Sequence, residues 1–105
     1  MCIKERAIED YDKAIELDPN AVRYYNRGLT YSELSQHQRA IDDYDKAIEL
    51  DPDANRYNSR GYSYNRLGEY QRAIEYYDKA IEMEHNDAAA YTNPGNSYSV
   101  IGQNK

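Results

Sequence analysis

The sequence contains no phenylalanine and no tryptophan, whereas tyrosine occurs 13 times. Tyrosine must therefore supply most of the aromatic surface of any core, and its hydroxyl groups need water or a hydrogen-bond partner where the rings are buried. Cys2 is the only cysteine, so no disulfide can form within the chain, which favours a reducing, cytoplasmic compartment. No apolar run approaches the roughly 18 residues of a membrane-spanning helix. The first ten residues also lack the apolar stretch of a signal peptide.

The charge balance and the scarcity of histidine narrow the classes of function. The formal net charge of −6 disfavours nucleic acid and membrane surfaces as partners. His37 and His85 are expected in solvated turns, with no second ligand at metal-binding spacing. Cys2 has no base spaced to activate its thiol. The sequence therefore predicts no enzyme, no metal site and no cofactor.

The strongest signal is internal repetition. RAIEDYDKAIELDP at residues 6–19 returns as RAIDDYDKAIELDP at 39–52 and as RAIEYYDKAIEMEH at 72–85, each time after 33 residues. A second unit recurs between these copies, as YNRGLTY from Tyr25, NSRGYSY from Asn58 and TNPGNSY from Thr92. Such a period indicates a repeat architecture, and stacked repeats form extended surfaces rather than one closed catalytic pocket.

Each copy reads as two helices. The unit from residue 39 to residue 50 has apolar residues at the i, i+3, i+4, i+7 spacing of an amphipathic helix. These residues are Ala40, Ile41, Tyr44, Ala47 and Ile48.

Local signals predict where the helices begin and end. Pro52 should stop the helix before it, and Asp53 should then cap the next one. Asn20 and Asp87 are the equivalent caps in the other copies, and Gly68 is the expected stop after the central helix.

Glycine recurs inside the helices at Gly28, Gly61 and Gly95. Because a helical glycine costs about 1 kcal/mol relative to alanine, its return at one position indicates a close helix–helix approach. Ala40 and Ala73 are the small residues expected to face it.

These residues carry a family resemblance. Tyr24-x2-Arg27-Gly28-x2-Tyr31, followed by Ala40-x3-Tyr44 and Pro52, resembles the tetratricopeptide repeat, and the match recurs along the chain. Arg27, Arg60 and Pro94 stand where the family pattern has leucine, and His85 replaces its proline.

The resemblance implies an all-α fold, a right-handed α-solenoid of antiparallel helix pairs. We call the first helix of each repeat the first-type helix and the second one the second-type helix. The phase predicts six helices, opening with a second-type helix at about 3–17 and closing with a first-type helix at about 88–101. The expected units of the single domain are a half-repeat at 1–19, full repeats at 20–52 and 53–86, and a half-repeat at 87–105.

In proteins that this chain resembles, first-type helices line a concave groove that holds an extended peptide or a partner's helix. The resemblance therefore implies a protein-interaction scaffold. Asparagine amides at groove positions can donate to and accept from a peptide backbone, although drift on a solvent-exposed face would also account for them. The groove residues implied are Tyr25, Asn26, Leu29, Ser32, Asn58, Ser59, Tyr62, Asn65, Arg66, Asn93 and Asn96.

The first-type helices carry five arginines against one acidic residue, Glu33, whereas the second-type helices carry more acidic than basic residues. This partition indicates either a groove that favours acidic ligands or arginines that pair with carboxylates of neighbouring helices. We expect pairing for Arg27 and Arg60, and freer side chains at Arg56 and Arg66.

An alternative function is self-assembly, in which repeat stacking is itself the role. The opening and closing helices are complementary halves of one repeat, so copies could join head to tail. If the sequence is a piece of a longer protein, neighbouring repeats would cover the same faces. Because Pro94 lies within the closing helix, we also expect either a kink near residues 92–95 or a closing helix that starts late. The predicted self-association residues are Ile3, Ile8, Tyr11, Ile15, Tyr91, Tyr98 and Ile101.

Overall fold

The computed structural model describes the backbone of residues 2–91 and the side chains of residues 2–85. This part of the chain is all-helical, with five helices and no strand. Three-residue connections at 18–20, 34–36, 51–53 and 67–69 join successive helices. The helices are α1 (Ile3–Leu17), α2 (Ala21–Glu33), α3 (His37–Leu50), α4 (Ala54–Arg66) and α5 (Tyr70–Tyr91).

The apolar stripe of α3 is the best-buried surface of the described chain, as its spacing predicts. Helix α4 covers one side of α3, and α2 covers another. The five stripe residues, Ala40, Ile41, Tyr44, Ala47 and Ile48, are all buried. Most of the core therefore lies on this central second-type helix.

The predicted caps form at two helix starts. The Asn20 side chain accepts a hydrogen bond from the backbone N–H of Arg23 at 2.9 Å. The Asp53 side chain accepts from the N–H of Asn55 at 2.7 Å and from that of Arg56 at 3.3 Å. These bonds satisfy N–H groups that have no partner inside the helix.

The described chain has five helices, so the predicted sixth is not confirmed, and the break expected before residue 88 is absent because α5 runs without interruption from Tyr70 to Tyr91. Asp87 therefore lies inside a helix instead of capping one, and His85 is an exposed residue of α5 rather than part of a turn. The physical reason is that histidine, unlike proline, leaves the preceding residue free to stay helical. The three alanines after Asp87 also favour helix. The kink expected at residues 92–95 lies outside the described residues.

Two of the connections use a left-handed residue. Gly68, the predicted helix stop, has φ +83°, and Ser35 at the equivalent position one repeat earlier has φ 62°. Glycine adopts this conformation at no steric cost, whereas serine has a Cβ that disfavours it. The sequence predicted only the turn at Gly68.

Gly28 and Gly61 lie where helices approach closely, as expected, but a tyrosine ring is the main facing group. A Cβ on Gly28 would lie 2.7 Å from Cε1 of Tyr44. A Cβ on Gly61 would lie 2.9 Å from Cε1 of Tyr77 and 3.2 Å from the carbonyl oxygen of Ala73. Ala73 is therefore a facing residue for Gly61, whereas Tyr44 takes the place expected for Ala40.

Replacing Gly61 with leucine should destabilise the protein. The gain in helix propensity, about 1 kcal/mol, is outweighed by the displacement of Tyr77 and of the α5 backbone, and we expect a net loss of about 1–3 kcal/mol. Urea denaturation followed by circular dichroism measures the change. Asn65→Ala, an exposed substitution on the same helix, is the control and should be neutral or slightly stabilising. A Gly61→Leu variant that resists urea better than the parent would show that the approach of α4 to α5 is not tight.

Candidate interaction groove

An arginine clamp holds α2 between its two neighbours. Arg27 Nε and Nη2 donate to the two carboxylate oxygens of Asp43 on α3, at 2.9 and 2.7 Å, while Nη1 donates to Asp12 on α1 at 2.8 Å. The hydrogen bond to Asp43 raises the pKa of Arg27 above its usual value. Asp43 is buried, so this bidentate contact compensates for the loss of its hydration.

Arg60 repeats half of this clamp on α4. Its Nη1 donates to Asp45 at 2.6 Å, and its guanidinium carbon lies 4.0 Å from the centroid of the Tyr76 ring. Asp45 belongs to the preceding second-type helix, as Asp12 does for Arg27. The pairing predicted for Arg27 and Arg60 is therefore present.

Arg56 is not the free side chain that was expected, because it is buried. Its Nη1 donates to the carbonyl oxygen of Asp51 at 2.7 Å and approaches the Asp51 carboxylate at 3.3 Å. The turn at residues 51–53 brings Asp51 next to α4, which spacing alone did not reveal. Arg66, by contrast, is exposed.

A cavity of about 380 Å³ opens between the first-type helices α2 and α4. Five of the predicted groove residues line it together, and α3 contributes one wall. The lining residues are Leu29, Ser32, Glu33, Tyr44, Asn58, Ser59 and Tyr62. Leu29 and Tyr62 are exposed, so they offer apolar surface to a ligand.

Tyr25 does not line the cavity but helps to hold the two helices on either side of it together. Its hydroxyl group is hydrogen-bonded to Ser59 Oγ at 2.9 Å, which links α2 to α4. Its ring also packs against Tyr44 with centroids 5.6 Å apart. The buried Tyr44 has a raised pKa, mainly because burial disfavours its phenolate form. Tyr44 is therefore a neutral group, and these contacts fix the positions of both tyrosines.

His37 begins α3 and lies beside the groove, not in a solvated turn as predicted. Its ring meets that of Tyr62 edge-on, with centroids 6.4 Å apart. Burial lowers the pKa of His37, and the positive charge of Arg66 lowers it further. A neutral imidazole is thus favoured at this edge of the groove.

The remaining predicted groove residues are more scattered. Asn26 is half-buried on α2, while Asn65 is exposed on α4 and lies outside the lining of the cavity. Asn93 and Asn96 lie outside the described residues. Glu33 and Tyr44 line the cavity without having been predicted. The helical period could have identified Glu33, four residues after Leu29, but no local signal assigns Tyr44 to the groove.

The predicted self-association residues divide similarly. Ile3 is 88% exposed at the start of α1, and Ile8, Tyr11 and Ile15 are half-buried. Tyr91 is the last residue of α5, not part of a separate closing helix. Tyr98 and Ile101 lie outside the described residues.

Cys2 is exposed and caps α1, where its Sγ accepts from the N–H of Glu5 at 3.4 Å. Among the side chains of residues 2–85, no group of His, Cys, Asp and Glu is arranged to hold a metal ion. The described helices include none that is both long and apolar enough to cross a membrane.

Comparison with protein families matches this architecture to known repeats. A tetratricopeptide repeat model matches residues 21–53 and 54–87, and a second tetratricopeptide repeat model matches residues 4–20. The chain belongs to the tetratricopeptide repeat family. No enzyme family is indicated by these matches.

The solved structures that are similar to the chain include two crystal structures of MamA. One has 36% sequence identity and a TM-score of 0.79 over 81% of this chain. The other has 34% identity and a TM-score of 0.77 over 86% of this chain. The chain spans about half the length of each, 51% and 50% respectively. No curated protein matches the chain.

Replacing Arg27 should cost more stability than replacing Arg60. In Arg27→Met the buried Asp43 loses its partner, and we expect a loss of about 2–3 kcal/mol in the free energy of unfolding. The matched variant Arg60→Met leaves Asp45, which is exposed, and should cost about 1 kcal/mol or less. Urea denaturation of both variants gives the comparison. Equal losses would contradict the assignment of Asp43 as the carboxylate that depends on its arginine.

His37 should make stability fall on mild acidification. Its pKa is lowered in the folded state, so the unfolded chain binds the proton more readily, and stability present above about pH 6.5, the unfolded value, is lost as the pH falls below it. Melting temperatures measured between about pH 7.5 and pH 5 should therefore decline less in His37→Gln than in the parent. His85→Gln, at an exposed position on α5, should decline like the parent. An identical decline in all three would show that His37 does not contribute.

Proposed function

We propose that the protein is an interaction scaffold that binds an extended peptide segment in the groove between α2 and α4. The observation that carries the proposal is the cavity itself. It places the exposed apolar surfaces of Leu29 and Tyr62 beside the polar groups of Asn58 and Ser59. Apolar anchors with neighbouring backbone-binding groups are what an extended segment requires.

The polar side chains of the cavity have distinct roles in this proposal. Ser59 is already hydrogen-bonded to Tyr25 and is held in place. Asn58 is exposed, and its amide can donate to a peptide carbonyl and accept from a peptide N–H. Asn58 is therefore the group assigned to grip the backbone of the ligand, while Leu29 and Tyr62 receive one of its apolar side chains.

Membership in the tetratricopeptide repeat family supports the general role of a protein-interaction scaffold. The groove, the extended ligand and the assignment of individual residues go beyond that general role. They rest on the contacts of α2, α3 and α4.

Peptide selection tests the groove directly. Random peptides displayed on phage are selected on the immobilised chain, and the dissociation constants of the best binders are measured by titration calorimetry. Asn58→Ala should weaken binding by about tenfold or more, since an unpaired backbone group costs about 1–3 kcal/mol. Leu29→Ala should do the same through lost apolar contact.

Asn65→Ala is the matched control, because it removes an exposed asparagine from the same helix but outside the lining of the cavity. It should leave affinity within about twofold of the parent. Selected peptides that bind all variants equally would place the binding site elsewhere.

Assembly of copies is the second candidate function. Its support is apolar surface at both ends of the described chain, where Ile3 on α1 and Ile74 and Ile81 on α5 are exposed. Exposed apolar surface of this kind is typical of interaction sites. The surface at the α5 end differs from the one expected from the sequence.

A further inference from the structure

One face of α5 is an uncovered copy of a face that is covered in α3. Ile41 and Ile48 of α3 are 1% and 8% exposed. The equivalent residues of α5, Ile74 and Ile81, are 52% and 54% exposed, with the exposed Asp78 between them. Within the described residues, α4 packs on α3, and no helix packs on this side of α5.

The same face also exists in α1, where α2 covers it. Ile8 and Ile15 are half-buried, and Asp12 between them accepts a hydrogen bond from Arg27 of α2 at 2.8 Å. The order isoleucine, aspartate, isoleucine at i, i+4 and i+7 is therefore a surface that a first-type helix with a matching arginine binds. This pairing is seen twice in the chain, as Asp12 with Arg27 and as Asp45 with Arg60.

Sequence makes α1 and α5 nearly interchangeable on this side. Residues 6–17 and 72–83 differ only where Asp10 is replaced by Tyr76 and Leu17 by Met83. Tyr76 stacks on Tyr64 of α4, with ring centroids 5.5 Å apart, so it belongs to the opposite side of α5. The exposed face of α5 thus retains the residues with which α1 meets α2.

We propose that α5 of one copy binds α2 of a second copy in place of that copy's α1. Asp78 then accepts from Arg27 of the second copy, and Ile74 and Ile81 take the positions of Ile8 and Ile15. The displaced element is α1, none of whose residues is buried, whereas α3 buries six. This replacement gives a defined interface to the assembly of copies. It rests on the second candidate function proposed above, assembly of copies.

The exchange continues the stacking of the helices from one copy into the next. Within the chain, Tyr25 of α2 is hydrogen-bonded to Ser59 of α4. In the assembly, α4 of the first copy lies next to α2 of the second copy as α2 lies next to α4 within one chain. Asn58 is equivalent to Tyr25, and Asn26 is equivalent to Ser59, so Asn58 of the first copy faces Asn26 of the second. Each copy whose α2 is bound in this way keeps its own α5 free, so the contact is heterologous and can continue to a further copy.

The tether of α1 keeps the exchange weak in the parent protein. Residues 18–20 join α1 directly to α2, so α1 competes at an effective concentration on the order of mM. Arg23 adds a hydrogen bond to the carbonyl oxygen of Asp18, at the end of α1, at 2.7 Å. Any change that weakens α1 on α2 should therefore promote association.

Sedimentation velocity across a wide concentration range tests the interface. Asp12→Arg sets a second positive charge against Arg27 and should lower the concentration needed for association by about tenfold. Adding Asp78→Arg should return the protein to a monomer. Glu75→Arg, the same charge change at an exposed position of α5 outside the face, should leave association unchanged when added instead.

Circular dichroism checks that the variants keep their helices. Should Asp12→Arg fail to fold, Asp12→Asn provides the milder loss of the same contact. Association that is insensitive to Asp78→Arg, or a strict monomer in every variant, would overturn the proposal.

Hydrogen exchange separates displacement of α1 from simple stacking. In the exchanged assembly, backbone amides of residues 3–17 should exchange faster as the protein concentration rises. If the copies associate while the amides of α1 stay protected from hydrogen exchange, then α1 is not displaced. That result would overturn the proposed replacement of α1 and leave the assembly of copies intact. The substitutions at Asp12 and Asp78 leave the lining of the groove unchanged, so peptide binding by the monomer is tested separately from assembly.

Discussion

The contact between a helical glycine and a tyrosine ring of the next helix governs the rest of the structure. Gly28 meets Tyr44, and Gly61 meets Tyr77, so closely that an added Cβ would overlap either ring. This approach brings Asp43 within reach of Arg27 and allows the buried carboxylate to be paired. It also makes Tyr44 a wall of the groove. Packing within a repeat and the shape of the binding surface therefore have the same origin.

Features that depend on a few neighbouring residues could be predicted from the sequence. The caps at Asn20 and Asp53 and the buried stripe of α3 are of this kind, since a short segment contains all the groups involved. The continuous α5 was not predicted, because the resemblance to the family placed a turn where this chain has His85 and a run of alanines. Local helix propensity decided the outcome there, as it does where nothing interrupts the backbone hydrogen bonds.

The groove was predictable only in part, for a geometric reason. Leu29, Asn58, Ser59 and Tyr62 share one face of the first-type helices, and the helical period identifies such a face. Tyr44 reaches the same cavity from a second-type helix, which requires knowing how closely α2 and α3 pack. The burial of Arg56 likewise depends on the path of the turn at residues 51–53. Contacts that join separate elements are set by packing, and the period of one helix does not contain them.

The two sides of each first-type helix follow different rules. Toward the preceding repeat the contact is the same each time, an arginine with an aspartate, as in Arg27 with Asp12 and Arg60 with Asp45. Toward its own second-type helix the partner changes, from the carboxylate of Asp43 to the ring of Tyr76. Successive repeats are therefore joined by the same arginine–aspartate pair, while the contacts within a repeat vary. A recurring arginine–aspartate pair forms equally well with a helix of the same chain and with the equivalent helix of another copy. The short connections between helices must therefore favour the neighbour in the same chain.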